Sequence, residues 1–179
     1  MFSLKKISIL GFLAIPLFLF SGINDVGAYP GDIYITKSTS SKGVTGHVGI
    51  EIDRGKILHT SGWKSEPYPT VISKADWNKR YPKTKVVRHS SQNVAVKAAS
   101  NAKKYFEGKK ISYSITSDPT NISKTYCSEL VWYSYYKAGI TFKVNDLGQY
   151  RTPGIIMPYD YTHLGNLAYN NFKMIDSKW

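Results

Sequence analysis

The stretch His47-Val48-Gly49-Ile50-Glu51-Ile52-Asp53-Arg54-Gly55-Lys56-Ile57-Leu58-His59-Thr60-Ser61 decides the fold of this chain. Val48, Ile50 and Ile52 alternate along one face, the period of a half-buried strand, and Asp53-Arg54-Gly55 supplies a turn. Lys56 to Ser61 then returns, so the segment predicts an antiparallel hairpin. With the loop at 53–55, Ile52 faces Lys56, and counting outward sets Gly49 opposite His59. His47 and His59 then lie diagonally on one face, roughly 7 to 8 Å apart between backbones, close enough for two imidazoles to meet. Gly49 between them leaves space for the His59 ring.

Working outward, Gly31 to Thr36 reads as a short strand and Lys37 to Gly46 as a loop of Ser, Thr, Lys and Gly. Thr70 to Ser73 and Thr84 to Arg88 are further strands, with a helical turn near Ala75 to Asn78. Ser90 or Ser91 caps a helix that carries Val94, Ala98, Ala102 and Tyr105 at helical spacing and ends at Gly108. Residues 111–125 are polar and turn-rich. A second helix is expected from about Tyr126 to Ala138, stopped by Gly139, and Phe172 to Ile175 forms a last strand. Strands that precede helices argue for an α+β domain in which helices pack on an antiparallel sheet.

The first 28 residues read as an export signal. Lys5 and Lys6 precede the apolar run Ile7 to Phe20, and Val26-Gly27-Ala28 offers small residues for cleavage before Tyr29. The run is shorter than the ~18 to 20 residues of a spanning helix. Residues 29–179 are then one domain of ordinary size, expected as a monomer that is secreted or held at the cell envelope. The net charge of +12 falls to +11 once Lys5, Lys6 and Asp25 are removed. Such a chain is drawn to an anionic wall polymer or lipid surface. No compact Lys/Arg run or motif accompanies the charge, so nucleic acid is not an expected partner.

Cys127, the only cysteine, stands in Thr125-Tyr126-Cys127-Ser128-Glu129-Leu130-Val131-Trp132, where the polar stretch gives way to the second helix. Exported proteins usually hold cysteines as disulfide pairs, so an unpaired one suggests a thiol kept for its reactivity. A helix N-terminus favours the thiolate. The competing reading is a small buried hydrophobe. A cysteine nucleophile needs a base and a group that orients the base. His47 fits the first role and His59 the second. Glu51 shares the face of His47 and is the alternative orienting or substrate-binding carboxylate. Tyr126 either lines the site as a substrate-binding donor or packs beside the cap. Glu129 reads as a first-turn residue that suits the helix dipole. His89 and His163 read as structural. A zinc site from His47, His59, Glu51 and Cys127 would lack the short-range ligand spacing that such sites use, so neither metal nor cofactor is expected.

These residues resemble the NlpC-type papain-like cell-wall hydrolases in their circularly permuted form, the YiiX/YaeF-like amidases. The resemblance is carried by Gly31-Asp32-Ile33, His47-Val48-Gly49-Ile50, Leu58-His59 and Tyr126-Cys127-Ser128-Glu129-Leu130-Val131-Trp132. His47 precedes Cys127 by 80 residues, the order of the permuted branch. The resemblance implies a papain-like α+β fold with Cys127 as nucleophile, His47 as general base and His59 as third member, where permuted relatives often carry a glutamate. It implies a cysteine amidase or peptidase acting on cell-wall peptide. A lipid or acyl-ester hydrolase or acyltransferase on the same scaffold, and an inactive module that binds peptide or polymer, are the alternatives.

Overall fold

A computed structural model describes Gly27 and residues 29–179; the expected export signal lies outside the described residues. Six strands form one antiparallel sheet: β1 (Ile33–Thr36), β2 (His47–Asp53), β3 (Lys56–His59), β4 (Thr70–Ser73), β5 (Thr84–His89) and a C-terminal strand, β10 (Phe172–Ser177). Their order across the sheet is β10-β5-β1-β2-β3-β4. The hairpin expected from the sequence holds its fourth and fifth places, one strand in from the β4 edge. Glu51 pairs with Ile57, Ile50 with Leu58 and Gly49 with His59, as counted from the sequence. The turn itself differs. Asp53, not Ile52, pairs with Lys56, and a bulge between Glu51 and Asp53 absorbs the extra residue. The returning strand also stops at His59 rather than Ser61.

Among the described residues four α-helices accompany the sheet: α1 (Lys74–Arg80), α2 (Gln92–Phe106), α3 (Cys127–Tyr136) and α4 (Leu164–Tyr169). Ser73 starts α1 by accepting the Asp76 N–H at 3.0 Å on its hydroxyl. Helices α2 and α3 lie on the face formed by Ile33, Ile35, Val48, Ile50, Ile52 and Leu58. Ala98 and Ala102 keep α2 close to that face, and Leu130 and Val131 fill the space beneath α3. Trp132 ties α3 to the next loop by donating its indole N–H to the Phe142 carbonyl at 3.0 Å. The opposite face is smaller and aromatic, with Tyr34, Ile57 and Val86 packed against Trp77 and Tyr81 of the α1 region. Both faces of β2 are thus buried, as its nearly continuous burial shows. No helix among the described residues is long and apolar enough to cross a membrane.

Beside a 3-10 turn at Pro158–Thr162, three further elements go beyond the sequence expectation. The polar segment holds β6 (Ser112–Tyr113) and β7 (Lys124–Thr125), which pair in parallel. A hairpin joins β8 (Val144–Asp146) to β9 (Gln149–Arg151). Its turn residues Leu147 and Gly148 have φ of 50° and 84°, a geometry that usually advertises itself by Asn-Gly, so the leucine conceals it. Helix α4 is the third.

Gly49 leaves space, but for other neighbours than the His59 ring. A Cβ there would stand 2.8 Å from Ile57 Cγ2, 2.9 Å from the Trp77 ring and 3.1 Å from the Leu58 carbonyl oxygen. Gly49→Ala is therefore expected to cost about 1 to 3 kcal/mol by overpacking. The measurement is the urea midpoint at unchanged m-value, and a midpoint equal to that of the parent would refute the close packing.

Candidate active site

His47 opens β2 and His59 closes β3, so the hairpin register alone brings their rings together. His47 Nε2 and His59 Nδ1 are 3.0 Å apart and share a hydrogen bond. Aromatic rings hold both in place: His47 stacks on Trp77 at 5.7 Å and contacts Tyr81 at 5.2 Å, and His59 meets Trp77 edge-on at 5.7 Å. Burial, with His59 and Arg80 adding to it, pushes the His47 imidazole well below its usual range. Burial likewise lowers His59, to about 4, against a smaller upward pull from Glu66. The resting pair is neutral at pH 7. Arg80 sits beside it, bonded to Glu66 at 2.8 Å, with its guanidinium over the Trp63 ring.

Cys127 is the first residue of α3 and is a free thiol. The helix lies on the Val48/Ile50/Ile52 face, whereas the imidazoles project to the Trp77 face. The thiol belongs to the first face but reaches the strand where His47 begins it. Burial raises the thiol pKa, and the Ser128 hydroxyl, the Val48 and Ser128 N–H groups and the Tyr113 hydroxyl pull it back. The sulfur thus stands at the residue next to His47, with its proton still on.

Tyr113, which sequence reasoning missed, closes this arrangement. Its hydroxyl interacts with the Cys127 sulfur, and burial followed by that sulfur holds its pKa well above the ordinary phenol range. The ring lies against Gly62, where a Cβ would come within 2.7 Å of it. The alternation Ile111, Tyr113, Ile115 was the available signal. A cleft of about 120 Å³ opens between Thr45, Gly46, His47, Ser61, Trp63, Tyr81 and Tyr113.

The remaining candidates are placed elsewhere. Glu51 shares the strand face of His47, but its Oε2 accepts the Tyr34 hydroxyl at 2.6 Å and its Oε1 the Gly55 N–H at 2.6 Å. Both oxygens are engaged in bracing the hairpin, so the group touching His47 is His59. Tyr126 is buried before α3, and its hydroxyl accepts the Ile156 N–H at 3.0 Å, bracing the C-terminal segment. Glu129 lies in the first turn as expected, yet it is fully buried. It accepts the Thr116 hydroxyl at 2.6 Å, and burial pushes its pKa up to about 7. His89 accepts the Ser91 N–H and His163 accepts the Asn166 N–H, each on Nδ1, so both serve helix starts.

The fold and site can be set beside known proteins. A family model described as lipoprotein N-acylation protein LnsA-like matches residues 21–173. The chain is 28% identical over 151 residues to an uncharacterized 30.3 kDa protein of Bacillus thuringiensis, a match that takes in 78% of this chain. It covers 54% of that protein, so the chain spans about half the length of the curated relative it matches. Its structure is similar to the crystal structure of the metalloprotein yiiX from Escherichia coli O157:H7. The TM-score is 0.60 at 18% identity, over 86% of this chain and 99% of that one, a likeness of fold.

Proposed function

Because this chain belongs to the lipoprotein N-acylation protein LnsA-like family, we propose that it is an exported cysteine acyltransferase that works at the cell envelope through a thioester on Cys127. The observation that carries the reading is the placement of the only thiol beside the strand start that bears the bonded His47–His59 pair. A papain-like, permuted arrangement of nucleophile and base accounts for that placement and for the order His47, His59, Cys127 along the chain.

In the tautomer in which His47 donates its Nε2–H to His59 Nδ1, the Nδ1 of His47 is bare and serves as the base. That nitrogen takes the Cys127 proton as the sulfur attacks the carbonyl of an acyl ester. The C–O bond breaks, and the imidazolium returns the proton to the departing alcohol. The acyl group is now a thioester. A primary amine then attacks the thioester carbonyl and passes its proton to His47, and the C–S bond breaks. The sulfur recovers its proton and an amide leaves. Water in place of the amine gives a hydrolase by the same steps. The backbone N–H of Cys127 and the Tyr113 hydroxyl are the donors for the oxyanion in each half.

The yiiX structure is described as that of a metalloprotein. Among the described residues of this chain no three His, Cys, Asp or Glu side chains stand together as ligands. The facing nitrogens of His47 and His59 bond to each other, and Glu51 is occupied in the hairpin. This donor set does not fit a metal centre, and no step runs through one.

The test is to incubate the purified chain with a medium-chain p-nitrophenyl ester, quench it in acid and weigh the tryptic fragments. The expected result is one acyl group on peptide 125–137, which moves to the amine of an S-diacylglyceryl-cysteinyl peptide. Wall muropeptides are the control. Their cleavage without any acyl adduct overturns acyl transfer in favour of the amidase.

A further inference from the structure

We propose that the mouth of the cleft is a docking collar that seats the enzyme on an anionic lipid bilayer, a surface that rests on the acyl-transfer reading above and supplies its acyl donor. Six large apolar side chains that line the cleft or stand in segments bonded to its walls are exposed: Val44, Trp63, Tyr113, Ile115, Ile155 and Met157, each between 37% and 79%. They come from four separate segments that the fold ties to the thiol. Trp63 and Tyr113 line the cleft itself. Val44 follows Gly43, whose carbonyl accepts the Tyr159 hydroxyl, and precedes Thr45 of the cleft wall. Ile115 lies beyond Ser114, whose N–H is bonded to the carbonyl of Thr125. Ile155 and Met157 flank Ile156, which is bonded to Tyr126 next to Cys127.

Scattered exposed apolar residues are ordinary, but here they fall in four segments that the fold ties to one cleft and its thiol. The charge specifies the occupant. Exposed Lys42, Lys64 and Lys124 lie within two residues of Val44, of Trp63 and of Thr125 respectively. The nearby Asp118 is engaged by the Thr120 hydroxyl and N–H. Apolar side chains framed by lysines, on a chain of net charge +12, match the interface of a bilayer with anionic headgroups. Docked in this way, an acyl ester leaves the lipid and enters the cleft without crossing water.

The experiment uses the full chain with vesicles of phosphatidylglycerol and phosphatidylcholine, and with phosphatidylcholine alone. Position-resolved hydrogen exchange is expected to show protection at 42–46, 62–64, 112–116 and 154–158, stronger with the anionic vesicles. Acyl chains brominated near the headgroup are expected to quench tryptophan emission, and Trp63→Phe to remove most of that quenching. Val44→Ser, Ile115→Ser and Met157→Ser together should weaken the collar's protection by at least about tenfold, while turnover of a soluble short-chain ester is kept. Protection absent from these segments, confined to the exposed Leu147 hairpin tip, or equal without vesicles because a second copy covers the collar, overturns the proposal. Cys127→Ala separates the two readings. An inactive variant in a chain that never docks removes the collar and keeps acyl transfer; full activity in a variant that docks does the reverse.

Discussion

Cys127→Ala is expected to lower acyl transfer by about 10⁴-fold or more, because removing a nucleophile deletes the covalent route and leaves only binding and oxyanion stabilisation. Cys127→Ser should fall nearly as far, since a neutral, buried imidazole is a weak base for an alcohol. The environment of Cys127 explains why the loss is chemical. Its thiol is buried and protonated at rest, so its reactivity depends on transfer of the proton when substrate arrives. Cysteine to alanine removes one sulfur from a packed site and costs about 1 kcal/mol, too little to unfold a domain of this size. Single-turnover release of p-nitrophenol, measured beside a thermal melt, distinguishes the two effects. A folded variant that retains more than about a hundredth of the parent rate rejects the thioester mechanism. A variant that loses no function at all supports an inactive binding module.

The part of this site that was legible in the sequence follows from local periodicity. Alternation of Val48, Ile50 and Ile52 fixes which residues share a strand face, so the meeting of His47 and His59 could be counted before any coordinates. The start of α3 at Cys127 was legible for a similar reason, a polar run meeting an apolar helix. Alternation does not say which face a distant helix will choose. Both faces of β2 are buried, one by the α2/α3 pair and one by Trp77 and Tyr81, so nothing local marked the Val48 side as the seat of α3. Tyr113 was hidden by a longer-range cause. Its strand is two residues long and pairs in parallel with Lys124–Thr125, a contact that exists only after the intervening loop closes. The role of Glu51 was misplaced because sharing a face with His47 is compatible with bonding to Tyr34 instead, and only the distances separate those outcomes.

His47→Ala is expected to lower kcat/KM by about 10³-fold, in the range of a positioned base, and the pH profile of the parent chain gives this its sign. In the proposed mechanism the active form has neutral His47. Because burial depresses its folded pKa, protonation begins only well below the ordinary 6.5 of imidazole, so kcat/KM should stay level from pH 8 through 6.5 and fall in more acidic solution. A limb centred at or above 6.5 would contradict a buried base. Stability should move in the same window. His47 and His59 are neutral when folded, and the unfolded chain binds protons below about 6.5, so each lowers stability by up to ~1.4 kcal/mol per pH unit as pH falls toward the folded values. Glu129 acts oppositely. Its folded pKa is raised to about 7 from 4.5, so it favours the folded state at low pH and that contribution is lost as pH rises between those values. Burial also lowers His89 and raises Glu51, so His89 adds to the loss on acidification and Glu51 opposes it, and the slope of the parent chain reflects the balance of the three histidines against the two carboxyls. His47→Ala removes one histidine's share, up to ~1.4 kcal/mol per pH unit, and should make the melting temperature less dependent on pH below about 6.5. An unchanged slope would mean that His47 is already charged in the folded protein, and a charged His47 cannot take the proton from Cys127.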